Sequence, residues 1–353
     1  MNTIYKSETY LKDLEQSIQN TLGFSKLASK RILITGATGL VGSYIVDMLC
    51  LWNNISAHQQ KIEVYACSRR IDNLKARFKG VFSPEYLHFA QQDMTQSLEI
   101  DFCVDYIIHA ASNAYPAAYN QDPVGTMMGN ILGTHELLEY AQENSVQRFM
   151  FISTGEVYGE GNRDSFDEDY SGYVNPMESR SCYPSAKRAA ETLCASYKKQ
   201  YGTDVVVARL CHTYGANVTA SDNRATVQFL QRAVNNQDII LKSKGNQMRS
   251  YCYVGDCASG VLSVLTVGES GEAYNIANKN SRISIADFAS IAAKQANVSV
   301  KYELPNELEK QERCPISRAV LSSQKIEKLG WECSFDPQTG IQHTLQISMD
   351  INN

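Results

Sequence analysis

Three glycines in Arg31-Ile-Leu-Ile-Thr-Gly-Ala-Thr-Gly-Leu-Val-Gly-Ser-Tyr-Ile-Val-Asp-Met-Leu49 constrain the fold more than any other feature of the chain. The apolar run Ile32–Ile34 predicts a buried strand, and Leu40, Val41, Ile45, Val46 and Leu49 recur at helical spacing. Strand, glycine turn and helix are the context of a dinucleotide-binding fingerprint. Gly36 permits the tight turn, Gly39 lets a pyrophosphate approach the backbone, and Gly42 lets helix and strand pack closely. The phosphates would meet the backbone N–H groups around Thr38, Gly39, Leu40 and Val41, where the helix starts. The spacing is G-x-x-G-x-x-G, so a glycine-rich turn in another α/β protein is the competing reading.

The chain that follows alternates strand and helix, which predicts an α/β fold, a Rossmann-type doubly wound parallel sheet with a smaller C-terminal substrate-binding region. Strands are expected at Lys61–Cys67, Leu87–Asp93, Asp105–Ser112, Gln147–Thr154 and Asp204–Leu210. Helices are expected at Gly129–Ala141 and Cys182–Cys194, and Pro116 and Pro123 mark a loop before the first of these. Leu11, Leu14, Ile18 and Leu22 predict an amphipathic leader helix within 1–29. The dinucleotide domain is expected over 30–212, with 251–279 returning to it, and 213–250 plus 280–350 as a substrate-binding lid.

In an NAD protein an Asp or Glu commonly ends the second strand, about 20 residues past the glycines, and binds the ribose. Here Cys67-Ser68-Arg69-Arg70 stands in that place. No carboxylate is present, and two guanidinium groups suit a 2′-phosphate, so NADP is favoured over NAD. Small residues at Ala110, Ala111 and Ser112 would let backbone approach the cofactor.

The net charge of -5 over 353 residues leaves no basic footprint for nucleic acid. No apolar run reaches the ~18 residues of a membrane span. Ten cysteines without a C-x-x-C read as reduced thiols, no metal site is expected, and a cytoplasmic homodimer is the expected setting.

Tyr183 and Lys187 are four apart on one helical face. The ammonium would lower the phenol's pKa, and a hydroxyl from Ser153 or Thr154 could share a substrate proton, so that hydride can leave carbon for a nicotinamide. With these residues in place the sequence resembles the extended short-chain dehydrogenase/reductases, specifically the nucleotide-sugar epimerases and dehydratases. The likeness rests on Thr35–Gly42, His109–Ser112, Asn130–Thr134, Ser153–Gly159, Tyr183-Pro-Ser-Ala-Lys187, Arg209–Gly215, Gly245–Tyr251 and Leu329-Gly-Trp331.

The resemblance implies Tyr183 as base, Lys187 as its partner and Thr154 as the third member. It implies Asp93, with Met94, at the adenine, and Arg249, together with Ser112, Ser153, His212 and Lys242, around a nucleoside-diphosphate sugar. The family usually has Asn where His212 stands. Thr154-Gly155-Glu156 keeps the Glu of the sugar 4,6-dehydratases, where a carboxylate can remove the acidic C5 proton of a 4-ketosugar, but has Gly in place of an Asp. The stretch around Cys182-Tyr183 and Glu191–Cys194 is similar to UDP-glucuronate decarboxylases. A 4,6-dehydratase is the leading expectation. A nucleotide-uronate decarboxylase, a 4-epimerase or ketoreductase, and a non-catalytic dinucleotide-binding regulator are the alternatives.

Overall fold

The computed structural model describes residues 3–55, 60–219, 222–303, 305 and 318–352. Small parts of the expected leader (1–2) and lid (220–221, 304 and 306–317, with Cys314) lie outside the described residues. The strands are β1 (Arg31–Thr35), β2 (Glu63–Ser68), β3 (Leu87–Gln91), β4 (Tyr106–His109), β5 (Arg148–Thr154), β6 (Val205–Leu210), β7 (His212–Tyr214), β8 (Ile239–Leu241), β9 (Met248–Tyr253), β10 (Ala273–Ile276), β11 (Arg282–Ser284) and β12 (Val300–Tyr302). The helices are α1 (Glu8–Gln19), α2 (Leu40–Ile55), α3 (Ile71–Arg77), α4 (Pro116–Gln121), α5 (Pro123–Glu143), α6 (Cys182–Tyr201), α7 (Ala225–Val234), α8 (Val254–Val267), α9 (Ile285–Ala296), α10 (Gln324–Glu327) and α11 (Pro337–Asn352).

Seven strands form one parallel sheet in the order β10-β6-β5-β4-β1-β2-β3. Ile32, Leu33 and Ile34 are fully buried because β1 lies mid-sheet with helices on both faces. Strand succession runs one way from β1 through β3 and the other way from β4 through β6. The connections after β1 and β4 therefore diverge and leave a crevice at the strand ends. Two small sheets, β11-β9-β7 and β12-β8, flank that crevice.

The segment expected to be a loop is helical. Pro116 and Pro123 stand at the starts of α4 and α5. A first-turn proline gives up an N–H that no helix bond would use, and its fixed φ suits the helix. Asp122 caps α5 by accepting the Gly125 N–H at 2.9 Å.

The leader is bound to the core by polar side chains as much as by its leucines. Tyr5 and Tyr10 donate to the fully buried Asp47 of α2 at 2.8 and 2.5 Å, and Arg77 pairs with the same carboxylate at 2.5 Å. Asp13 of α1 accepts from Tyr253 at 2.6 Å and meets His343 of α11 at 2.8 Å. These partners satisfy carboxylates that burial would otherwise penalise. The end of the expected lid differs from the rest of it: α11 packs on the leader, α7 and α9, and none of its residues lines the crevice.

Candidate active site

The crevice is a cavity of about 1490 Å³, and every residue singled out from the sequence lines it. On one side is the glycine turn. Gly36 has φ +67°, and a Cβ there would lie 2.6 Å from the Ala110 carbonyl oxygen; a Cβ on Gly42 would lie 2.5 Å from the Gly36 oxygen. Side chains at either point would fill the approach between β1, β4 and α2. Thr38, Gly39, Leu40 and Val41 face the cavity at the start of α2, and Ala110, Ala111 and Ser112 face it from β4. This donor-rich, side-chain-poor surface fits a dinucleotide diphosphate.

Beyond β2, Arg69 and Arg70 are exposed at the rim, and among the described residues neither guanidinium forms an ion pair. Asp93 and Met94 follow β3. The Thr95 N–H and hydroxyl bind Asp93 at 2.9 and 2.8 Å and, with Arg69, hold its carboxyl below the usual range.

At the reacting end β5 delivers Ser153 and Thr154, and α6 delivers Tyr183 and Lys187 one turn apart. The Thr154 side chain faces the Tyr183 hydroxyl and acts to lower its pKa, while the Thr154 oxygen accepts the Glu156 N–H at 3.3 Å. Ser153 does not share that place: its hydroxyl donates to Glu191 at 2.5 Å, and Arg209 holds Glu191 from the other side. The expectation that Lys187 lowers the tyrosine's pKa is not met within the chain. Burial, then the Glu156 carboxylate, push Tyr183 above its ordinary value. Lys187 donates to the Ile152 carbonyl at 2.8 Å, lies 4.5 Å from the Phe151 ring centre, and is pushed down to about 7 by burial.

Glu156 opens the turn after β5, and both its oxygens accept from one Arg180 nitrogen, at 3.1 and 3.0 Å. Arg180 lies 4.5 Å over the Tyr119 ring, which stacks on Tyr183 at 5.2 Å. Arg180 and Tyr119 thus belong to the reacting end, although the sequence reading did not single them out. The R-S-C-Y run is the signal that could have found Arg180: three residues before Tyr183, it sits just ahead of the first turn of the same helix. A Cβ on Gly155 would lie 3.2 and 3.3 Å from the Leu321 methyls.

The far side carries His212 on β7, Arg249 on β9 and Arg224 ahead of α7. Arg224 is held by Asp222 at 2.6 to 3.0 Å. Lys242 pairs with Glu303 at 2.9 Å at the partly exposed edge. A separate cluster of Cys252, Asp256 and Cys333 lies off the cavity. There Asp256 accepts the Ser334 and Phe335 N–H groups at 2.7 and 3.1 Å and closes the C-terminal loop onto α8.

A family model described as the NAD dependent epimerase/dehydratase family matches residues 32–277, from β1 to the end of the sheet. The chain belongs to this family. UDP-glucuronic acid decarboxylase 3 of Arabidopsis thaliana is 32% identical over 311 residues, which cover 88% of this chain and 86% of the relative. UDP-glucuronic acid decarboxylase 1 of Danio rerio is 32% identical over 321 residues, covering 90% and 72%. A dTDP-glucose 4,6-dehydratase from Streptomyces venezuelae, solved with NAD and TYD bound, superposes with TM-score 0.75 at 24% identity, over 90% of this chain and 96% of that one. The UDP-glucuronic acid 4-epimerase of Bacillus cereus, solved with UDP-glucuronic acid and NAD, gives 0.74 at 21%, over 90% and 98%. At these identities the two structures bear on the fold alone. As an epimerase/dehydratase family member the chain is an NAD-dependent nucleotide-sugar enzyme. No helix among the described residues is long and apolar enough to cross a membrane.

Proposed function

We propose that the enzyme oxidises a nucleoside-diphosphate-bound hexuronate at C4, releases CO2 and restores the C4 hydroxyl: a nucleotide-uronate decarboxylase. One observation carries the choice over a 4,6-dehydratase: Arg180 binds both oxygens of Glu156. Dehydration needs an ionised base for the C5 proton and an acid for the departing C6 hydroxyl. In this arrangement the Arg180 guanidinium occupies both Glu156 oxygens that would have to reach the C5 proton. Gly155 supplies no acid, and any side chain there would press on Leu321. A uronate oxidised at C4 is a β-keto acid and loses CO2 without either group. The decarboxylase relatives support the same reading.

In this mechanism Thr154 and Tyr183 hydrogen-bond the C4 hydroxyl, and Tyr183 takes its proton as hydride leaves C4. A nicotinamide held by the glycine turn would supply the hydride acceptor, and afterwards the donor, for C4. Lys187, one turn from Tyr183 on α6, would hold the cofactor's ribose beside the phenol. Arg180 exchanges Glu156 for the substrate's C6 carboxylate, a swap of one carboxylate for another. Glu156, once released, takes a solvent proton and gives it to C5 after CO2 departs. The proton count closes, since one solvent proton replaces the lost carboxylate.

Exposed Arg69 and Arg70 at the cavity rim support NADP, and the NAD-bound family neighbours make NAD the reading to test against it. Val124 and Met128 on α5 and Tyr201 on α6 expose apolar surface that supports a homodimer, and free thiols among the described cysteines support a reducing, cytoplasmic setting. Incubating the protein with NADP or NAD and a panel of UDP-, dTDP-, GDP- and CDP-sugars, with products read by mass, tests the function. Loss of CO2 from a uronate supports it. Loss of water from a neutral sugar restores the dehydratase.

A further inference from the structure

We propose that His212 takes up a proton when the nucleoside-diphosphate sugar binds and presents it to the diphosphate as a charged hydrogen bond. The inference rests on the nucleotide-sugar reading above. His212 opens β7, pairs in register with Tyr251 of β9, and keeps its ring 5.8 Å from that tyrosine's ring. The ring is half-buried in the cavity wall, and among the described residues neither nitrogen has a hydrogen-bond partner within the chain. A polar ring so placed is set to meet a ligand.

The groups that bear on it are few. Arg249 and Tyr251 come from β9, Arg224 with Asp222 comes from the approach to α7, and Cys211 precedes it in the chain. Asp222 holds Arg224 through three contacts of 2.6 to 3.0 Å and partly offsets its charge. Burial keeps the Tyr251 hydroxyl neutral. Even counted as a full positive charge, Arg249 supplies one unit against the two negative charges of a diphosphate diester. With Arg224 shared with Asp222, a further positive charge can be accommodated there, and His212 is the group that can supply it.

In the protein alone, burial and the two guanidinium groups push the imidazole down to about 3, so it is neutral at working pH. Two negative charges at contact act in the opposite sense and favour the imidazolium. Binding and protonation then become linked, and affinity falls by up to tenfold per pH unit as pH rises from the free-state toward the bound-state pKa, then levels off above it.

Calorimetric titration of the holoenzyme with UDP-4-deoxyglucose tests this. That ligand cannot be oxidised at C4, and its diphosphate does not itself titrate near neutrality. Runs at one pH in phosphate and in Tris, whose ionisation enthalpies differ, report the protons taken up per site. The wild type should take up about one proton and bind more tightly at lower pH, as the linkage requires. His212→Asn keeps an amide donor, and it should bind with no proton uptake and a flat pH profile. His212→Gln, checked by circular dichroism, serves if the asparagine variant does not fold. Wild-type binding without proton uptake, or equal uptake in both variants, overturns the proposal. A wild type that binds no UDP-sugar at all overturns the nucleotide-sugar reading with it, which is a separate and recognisable result.

Discussion

On the cofactor side of the cavity the wall is mostly backbone and small side chains, whereas the substrate side is built from ion pairs. Gly36 and Gly42 leave no room for a Cβ, and Ala110, Ala111 and Ser112 continue that surface. Across the cleft stand Glu156–Arg180, Asp222–Arg224 and Lys242–Glu303, with His212 among them. A backbone cradle binds what every dinucleotide shares and tolerates little change. A set of paired charges can trade an internal carboxylate for a substrate anion while the guanidinium stays paired and desolvated. In the proposed reaction the first side would hold the cofactor, and the second would select the sugar and the reaction.

The sharpest break between the halves is Tyr183→Phe. The ring still packs on Tyr119, so the variant should fold and bind cofactor, while turnover drops ~100-fold or more. Steady-state rates set against cofactor titration check it. Glu156→Gln should follow at up to ~100-fold, with reduced-cofactor absorbance building up as the C5 protonation stalls. Next comes Arg180→Gln. Losing a charge-assisted pair is worth about 1.5–3 kcal/mol, so kcat/KM for a uronate should fall roughly 10- to 100-fold. Cofactor affinity should not move, and Arg180→Lys should recover part of the loss. If cofactor affinity moved as much as kcat/KM, the division into halves would be wrong.

Replacing both Arg69 and Arg70 with Ala should abolish a preference for NADP over NAD of about tenfold or more, read by titrating both cofactors. Equal affinities in the starting protein would remove the NADP reading.

The smallest effect lies outside both halves. Asp13 raises His343 above its ordinary value, chiefly through their hydrogen bond. A group with a raised folded pKa stabilises fully below its unfolded value, about 6.5, and that contribution is lost as pH rises through the folded value. His343→Gln should therefore lower stability by about 1 kcal/mol or less near pH 6 and leave it unchanged near pH 9, as followed by thermal unfolding.

The cofactor half was legible because its signal is local: three glycines, a strand and a helix lie within nineteen residues of sequence. The substrate half was legible only as a set of residue types. Arg180 is 24 positions from Glu156, and nothing in either segment announces their pairing. Ser153 and Thr154 are equivalent in sequence, yet β-strand alternation sends the first to bond Glu191 and turns the second toward the Tyr183 side of the cavity. Pro116 and Pro123 misled because a proline that ends one element also fits the first turn of another.

The central claim is that one hydride leaves C4 and returns while CO2 departs from C6 and solvent supplies the C5 proton. Turnover of UDP-glucuronic acid in D2O with catalytic NADP or NAD, followed by proton NMR of the product, tests all three steps together. The account predicts a UDP-pentose with deuterium at C5 and protium at C4. A product that keeps its carboxylate, or deuterium at C4, would contradict it.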